Sequence, residues 1–245
     1  MQSYIAKTGN ENEMYLIQHA LIQYNKVKNT LDVLINIYSS LFNGHTTMDN
    51  ITDEQLVTFN LSQLKSLPAN IFDAYLYIIL TLCWDNCVTN GKTMLDLYDA
   101  KKIDFSDIVH TMILIDEAHR WINTKKPLIL DQITIYEREA RKYFGGILLA
   151  TQSIRDLIPE GSTDANIDKL KNIFEFSQYK FLFRQNSNVI PLIDRVFQSS
   201  LTPSLKGRIP KLEMGQCILM IDSDQNLELK IHLTEEEKQL FKGGV

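Results

Sequence analysis

Apolar residues recur at helical spacing from Glu13 to Phe42 (Leu16, Ala20, Val27, Leu31, Leu34, Ile35, Tyr38, Leu41), which predicts a pair of helices ending before the polar stretch NGHTTMDN. After that loop LVTFNLS, Leu56 to Ser62, is short, β-branched and aromatic, so a strand is expected there. Ser66 and Pro68 suit the start of a helix running to about Thr89. That segment is apolar nearly all round, the pattern of a helix packed on both sides. Its longest apolar run, Ile71 to Trp84, is shorter than the roughly 20 residues of a membrane span, and Asp73 interrupts it. The pattern therefore points to a core helix.

Further along, TMILID (Thr111 to Asp116) reads as a strand, followed by a helical region from Ala118 to Phe144 with a break near Lys125 to Pro127. GGILLATQ (Gly145 to Gln152) is the next strand, its glycines ending the helix before it. A helix over Ala165 to Phe174, a strand over Tyr179 to Gln185 and a helix over Val189 to Gln198 follow. Strands are then expected at Gly215 to Asp222 and Leu227 to Leu233. Thr234 with Glu237 three residues on is a capping box that opens a terminal helix. Strands alternate with helices, and several strands are apolar on both faces. This predicts an α/β fold with a mostly parallel sheet flanked by helices and ligand chemistry at the carboxyl ends of its strands. The loop at NGHTTMDN divides a helical segment, residues 1–50, from an α/β core, residues 51–245.

Composition narrows the classes. At 245 residues the chain can form one large domain or two small ones, and 44% hydrophobic with 22% charged residues is globular material. A formal charge of -5 and a pI near 5.6 leave no broad basic field to coat nucleic acid, so any DNA contact must be local. Lys206, Arg208 and Lys211 are one such cluster, suited to a phosphate backbone or simply to solvating a loop. The N-terminus has no apolar signal-peptide segment, which suggests the cytoplasm. Cys83 and Cys87 lie one helical turn apart without a His or second Cys pair at zinc spacing, so free thiols facing a core are expected.

The candidate chemistry sits at strand ends. If the sheet is parallel, Asp116 and Glu117 lie at the carboxyl end of one strand and Gln152 at that of another, along one rim. An acid at a strand-to-helix turn is often only a helix cap. In nucleoside triphosphatases, however, an Asp after four apolar residues holds magnesium, and an adjacent Glu can polarise the attacking water. Gln152 could then hold that water or report the terminal phosphate. Arg138 and Arg141, three apart on a helix face, read either as a solvated basic face paired with Glu137 and Glu139 or as an arginine reaching a neighbouring subunit's nucleotide. Two look-alikes fail on context. NGKT at Asn90 to Thr93 lacks the Gly that a phosphate-binding loop needs five residues before Gly91, and it follows a helix. DEAH at Asp116 to His119 spells a helicase box without the loop and second motor domain that such a helicase needs; His119 reads as a polar residue on the exit turn.

In order, VTFNLSQL, ILIDEAHRWI, YEREARKYFGGILLATQS, FLFRQ and GQCILMIDS resemble the carboxyl-terminal motor domain of the conjugative type IV secretion ATPases, members of the HerA/FtsK group. The resemblance runs from about Val57 to the C-terminus. It implies a partial RecA-like P-loop NTPase core, with residues 1–50 in the place of that group's helical insertion. It further implies ATP and Mg2+ as cofactors, with Asp116 holding the metal, Glu117 the catalytic acid, Gln152 the sensor, and Arg141, with Arg138 second, acting across a subunit interface. The implied partners are further copies in a homo-hexamer or a missing N-terminal motor portion, and the secretion channel and coupling proteins at the inner membrane. The implied location is cytoplasmic and peripheral to that membrane. The group's phosphate-binding loop has no counterpart in this sequence. The resemblance therefore leaves two expectations: an ATPase completed by that loop from elsewhere, or a non-catalytic RecA-like scaffold.

Overall fold

The computed structural model describes residues 11–44, 51, 54–197, 200–221 and 225–240. The chain divides into two compact units, Met1–Glu54 and Gln55–Val245. In the first, a single 26-residue helix α1 (Glu11–Asn36) replaces most of the expected pair, and only one turn, α2 (Ser39–Phe42), follows it. Its apolar residues Tyr15, Leu16, Ile22, Val27 and Leu31 are exposed.

In the second unit the expected strand at Leu56 to Ser62 does not form. Residues 56–61 form no strand among the described residues, and a 3-10 turn, Ser62–Ser66, follows them. Their apolar character is used differently: Phe59 and Leu61 pack against the core as side chains, without a ladder. Helix α3 (Ala69–Asp99) then runs ten residues past the expected end, straight through Asn90 and Gly91. A glycine ends a helix only if it takes a left-handed conformation, whereas Gly91 stays helical and is buried. A Cβ there would lie 2.4 Å from Tyr143 Cβ and 2.5 Å from Tyr143 backbone atoms, so Gly91 is a close-packing residue. NGKT is therefore interior helix, anchored by Asn90 Nδ2 donating to Val109 O at 2.9 Å.

The length and apolarity of α3 would suit a membrane span. Its Leu76, Leu80 and Cys87 are nevertheless fully buried in the protein core, and Asp73 pairs with Lys126 at 2.6 Å. The expectation of packing on both sides fails, because Tyr77 and Ile78 on the other face are exposed. Cys83 and Cys87 are free thiols, and burial pushes the Cys83 thiol up to about 11.

The remaining elements are β1 (Thr111–Ile115), α4 (Pro127–Glu139), β2 (Gly145–Leu149), α5 (Ile154–Leu157), α6 (Asp164–Phe176), β3 (Tyr179–Leu182), α7 (Ile190–Phe197), α8 (Pro203–Arg208), β4 (Gln216–Ile221), β5 (Gln225–Lys230) and α9 (Glu235–Leu240). The capping box at α9 forms: Thr234 N donates to Glu237 Oε2 and Glu237 N to Thr234 Oγ1. The long helical region after Asp116 is interrupted, as Pro127 suggested, with 3-10 turns at Ala118–Arg120 and Ala140–Tyr143 on either side of α4.

The sheet differs most from expectation. Among the described residues only β1 and β2 are parallel; β3, β4 and β5 form a separate antiparallel sheet. Three residues, 222–224, join β4 to β5, and a parallel crossover needs a dozen or more, so a hairpin is the only solution. Nor is the sheet covered on both faces. Ile113, Ile115, Ile147, Leu149 and Leu182 face a core built with Leu130, Ile133, Ile167, Leu170 and Ile193. On the opposite face Met112 (66%), Leu114 (67%), Leu148 (48%) and Phe181 (54%) are exposed.

Two predictions follow from this packing. Gly91→Ala improves helix propensity by about 1 kcal/mol, but the overpacking against Tyr143 costs about 1–3 kcal/mol. Urea unfolding should therefore show a net loss of stability, and a gain would remove the α3–Tyr143 contact from the account. Glu137, in the last turn of α4, accepts a hydrogen bond from Ser177 Oγ at 3.0 Å, yet burial pushes its carboxyl up to about 8. The folded state then holds a proton that the unfolded chain has released, so stability should fall as pH rises from about 4.5 to about 8. Glu137→Gln should flatten that slope in thermal melts across the same window.

Candidate functional site

In the parallel pair Thr111 stands beside Gly145 and Ile115 beside Leu149. Residues that leave the two strands therefore emerge together, and the ladder continues past the strand ends. Ala150 N donates to Ile115 O at 2.9 Å and Ala118 N to Ala150 O at 2.7 Å. Between these two bonds the chain must turn sharply, and Glu117 does so with φ 50° and ψ 46°. Left-handed backbone costs a non-glycine residue roughly 1–2 kcal/mol, and such strain concentrates at functional positions.

This turn gathers the site. Glu117 Oε1 accepts from Gln152 Nε2 at 2.7 Å, and Asp116 Oδ1 accepts from Glu117 N at 2.8 Å. Glu117 Oε2 is shielded from solvent, accepts no hydrogen bond, and lies 3.3 Å from His119 Nδ1. Thr151 Oγ1 approaches the same imidazole nitrogen at 3.5 Å. Gln185, just beyond β3, donates from Nε2 to Gln152 O at 3.0 Å and ties the second sheet to this rim.

Three of the five sequence-predicted residues thus come together: Asp116, Glu117 and Gln152. Arg138 and Arg141 do not join them. They precede β2, at the opposite end of a strand five residues and hence roughly 15 Å long. Arg138 lies over the Phe176 ring at 5.3 Å from its centroid, and Arg141 is exposed. The sequence reading missed His119, Thr151 and Gln185. Gln185 carried the same signal as Gln152, a polar residue closing an apolar strand; His119 carried none, because its role depends on the left-handed turn.

As a metal ligand Asp116 stands alone, since among the described residues no group of three His, Cys, Asp or Glu could hold an ion. Magnesium is compatible with that, because it keeps most of its waters and takes one or two carboxylates beside substrate phosphates. Glu117 Oε2, shielded from solvent and without a hydrogen bond, has the His119 imidazole as its neighbour, so a protonated His119 would offset its charge. In the basic cluster Arg208 is bound to Glu228 and Lys206 to Asp194, so two of its three charges are already offset by acids.

No protein-family model matches the chain. The uncharacterized protein pXO2-09 of Bacillus anthracis is 31% identical over 218 residues, 89% of this chain and 34% of the relative. Among solved structures, VirB4 of Thermoanaerobacter pseudethanolicus superposes with a TM-score of 0.67 at 16% identity, covering 88% of this chain and 51% of that one. The genome packaging NTPase B204 from Sulfolobus turreted icosahedral virus 2, in complex with AMPPCP, covers 59% of this chain at a TM-score of 0.37, too distant to establish a common fold. The chain spans about a third of the curated relative and about half of the VirB4 chain. Its fold is mixed α/β with a small parallel sheet, and that fold is VirB4-like.

Proposed function

We propose that this chain is the catalytic-acid portion of a type IV secretion ATPase, working in a motor whose phosphate-binding loop comes from polypeptide outside these 245 residues. The observation that carries this reading is the bond from Gln152 Nε2 to Glu117 Oε1 across two parallel strand ends, with Glu117 held in left-handed backbone. A carboxylate held by an amide on one oxygen and by the His119 imidazole beside the other is oriented to take a proton from a water admitted next to it. Gln152 fixes that orientation, and its break from Glu117 when a terminal phosphate arrives is how it would report occupancy. Asp116, exposed beside them, would hold magnesium, which when bound supplies charge neutralisation for the transferring phosphoryl group. Arg141 and Arg138, at the far end of β2, could serve only the nucleotide of a neighbouring subunit, which fits a hexamer. On this reading the protein lies in the cytoplasm against the inner membrane, with the secretion channel and coupling proteins as partners, and powers DNA or protein transfer or channel assembly.

A second reading, a non-catalytic scaffold of the same shape, draws on one observation: the sole NGKT of the chain is interior helix and cannot cradle phosphate. ATP turnover by the assembled motor separates the two. Glu117→Gln should lower turnover about a hundredfold or more while nucleotide binding persists. Turnover equal to the unaltered protein's would exclude Glu117 from catalysis and favour the scaffold.

A further inference from the structure

Lys126 stands where three parts of the fold meet. It is the residue before α4, and its peptide oxygen accepts from Ile129 N and Leu130 N. Its side chain points away from that helix: Nζ donates to Arg120 O, lies 2.6 Å from Asp73 Oδ1 near the start of α3, and sits 5.1 Å from the centre of the Phe72 ring. Only 15% of that side chain is exposed. A lysine ordinarily keeps its ammonium in water while its stem lies on the surface, so one folded inward needs a reason. Net stability does not supply it, because the desolvation of a shielded ion pair offsets most of its attraction.

The reason lies in the turn that carries Glu117. A helical turn leaves its last carbonyls without partners, and in this one each is taken by a nearby group. Arg120 N donates to Glu117 O at 2.9 Å, Trp121 N and Ile122 N to Ala118 O, Asn123 Nδ2 to His119 O at 3.0 Å, and Lys126 Nζ to Arg120 O. The first of these bonds joins Arg120 to the left-handed Glu117, and the last joins Arg120 through Lys126 to α3. Further on, Thr124 N donates to Leu157 O and Asn166 Nδ2 to Thr124 O, which fixes the other end of the loop. Without the ammonium, Arg120 O becomes an orphan acceptor, at a cost of the same order as left-handed backbone in a non-glycine residue. Relaxing the turn then brings that oxygen to water and relieves Glu117 in one movement, at the expense of its bond to Gln152. We infer that Lys126 is a positioning residue for Glu117: with Asp73 it forms a strut from α3 to Arg120 O that keeps the left-handed turn closed and the Glu117 carboxylate on Gln152. Its effect on turnover rests on the reading of Glu117 as the catalytic acid, whereas the strut itself is a property of this chain alone.

Lys126→Met keeps the apolar stem and removes the ammonium, and Lys126→Arg keeps a cation whose fork of donors can bond Asp73 and a carbonyl together. The probe is the pair of Gln152 side-chain amide signals in NMR spectra of the intact chain, with thermal melts alongside. Lys126→Met should move both signals to the positions of a free glutamine while the chain stays folded, and Lys126→Arg should restore them. In the assembled motor Lys126→Met should lower kcat about tenfold or more and leave KM for ATP nearly unchanged, because it displaces the acid and not the nucleotide. Four results would overturn the inference. They are Gln152 signals unmoved in Lys126→Met, the same displacement in Lys126→Arg, a Lys126→Met chain that does not fold, which would make the lysine part of the core alone, or a kcat kept by Lys126→Met where Glu117→Gln loses it. Turnover insensitive to Glu117→Gln would refute the catalytic reading and leave the Gln152 signals to decide the strut.

Discussion

The in-register parallel pairing of β1 with β2 is the constraint from which the rest of the site follows. Parallel strands bring their carboxyl ends to the same rim, so Asp116 and Glu117 arrive beside Ala150 to Gln152 without further guidance. Two bonds then extend the ladder, from Ala150 to Ile115 and from Ala118 to Ala150, and fix the chain on both sides of Glu117. Glu117 has little choice of backbone between them. Its left-handed conformation is a local cost met by those flanking bonds, and it aims the carboxylate at Gln152 rather than along the sheet.

The same pairing explains what the chain leaves open. A two-stranded parallel sheet is a small unit, because parallel sheets are ordinarily covered on both faces. Here one face is packed by α3, α4 and α6 while Leu114 and Leu148 stand bare on the other. Arg138 and Arg141 sit at the start of β2 and Gln152 beyond its end, so the strand itself separates them from the site in their own chain.

Much of this was legible in the sequence, and where it was not the reasons are physical. Apolar runs ending in polar residues located β1, β2 and β3, and the meeting of Asp116 and Glu117 with Gln152 followed from the parallel direction of β1 and β2. The Thr234–Glu237 box was legible because capping is local. Strand pairing is not local: Leu56 to Ser62 has strand composition but meets no partner strand among the described residues, and the β4–β5 hairpin was hidden by treating every strand as one of a parallel set, although only three residues join those two. Gly91 was equally opaque, since its reason for being glycine is Tyr143, more than fifty positions away. His119 entered the site only through the left-handed turn at Glu117, which no spacing rule announces.

The measurement that bears most directly on the central claim is a structure of the assembled motor that contains this chain, bound to magnesium and a non-hydrolysable ATP analogue. The account predicts the terminal phosphate beside Gln152, the metal on the Asp116 side, and a water at Glu117 Oε2. A nucleotide bound away from this rim, with Glu117 and Gln152 still closed on each other, would contradict it.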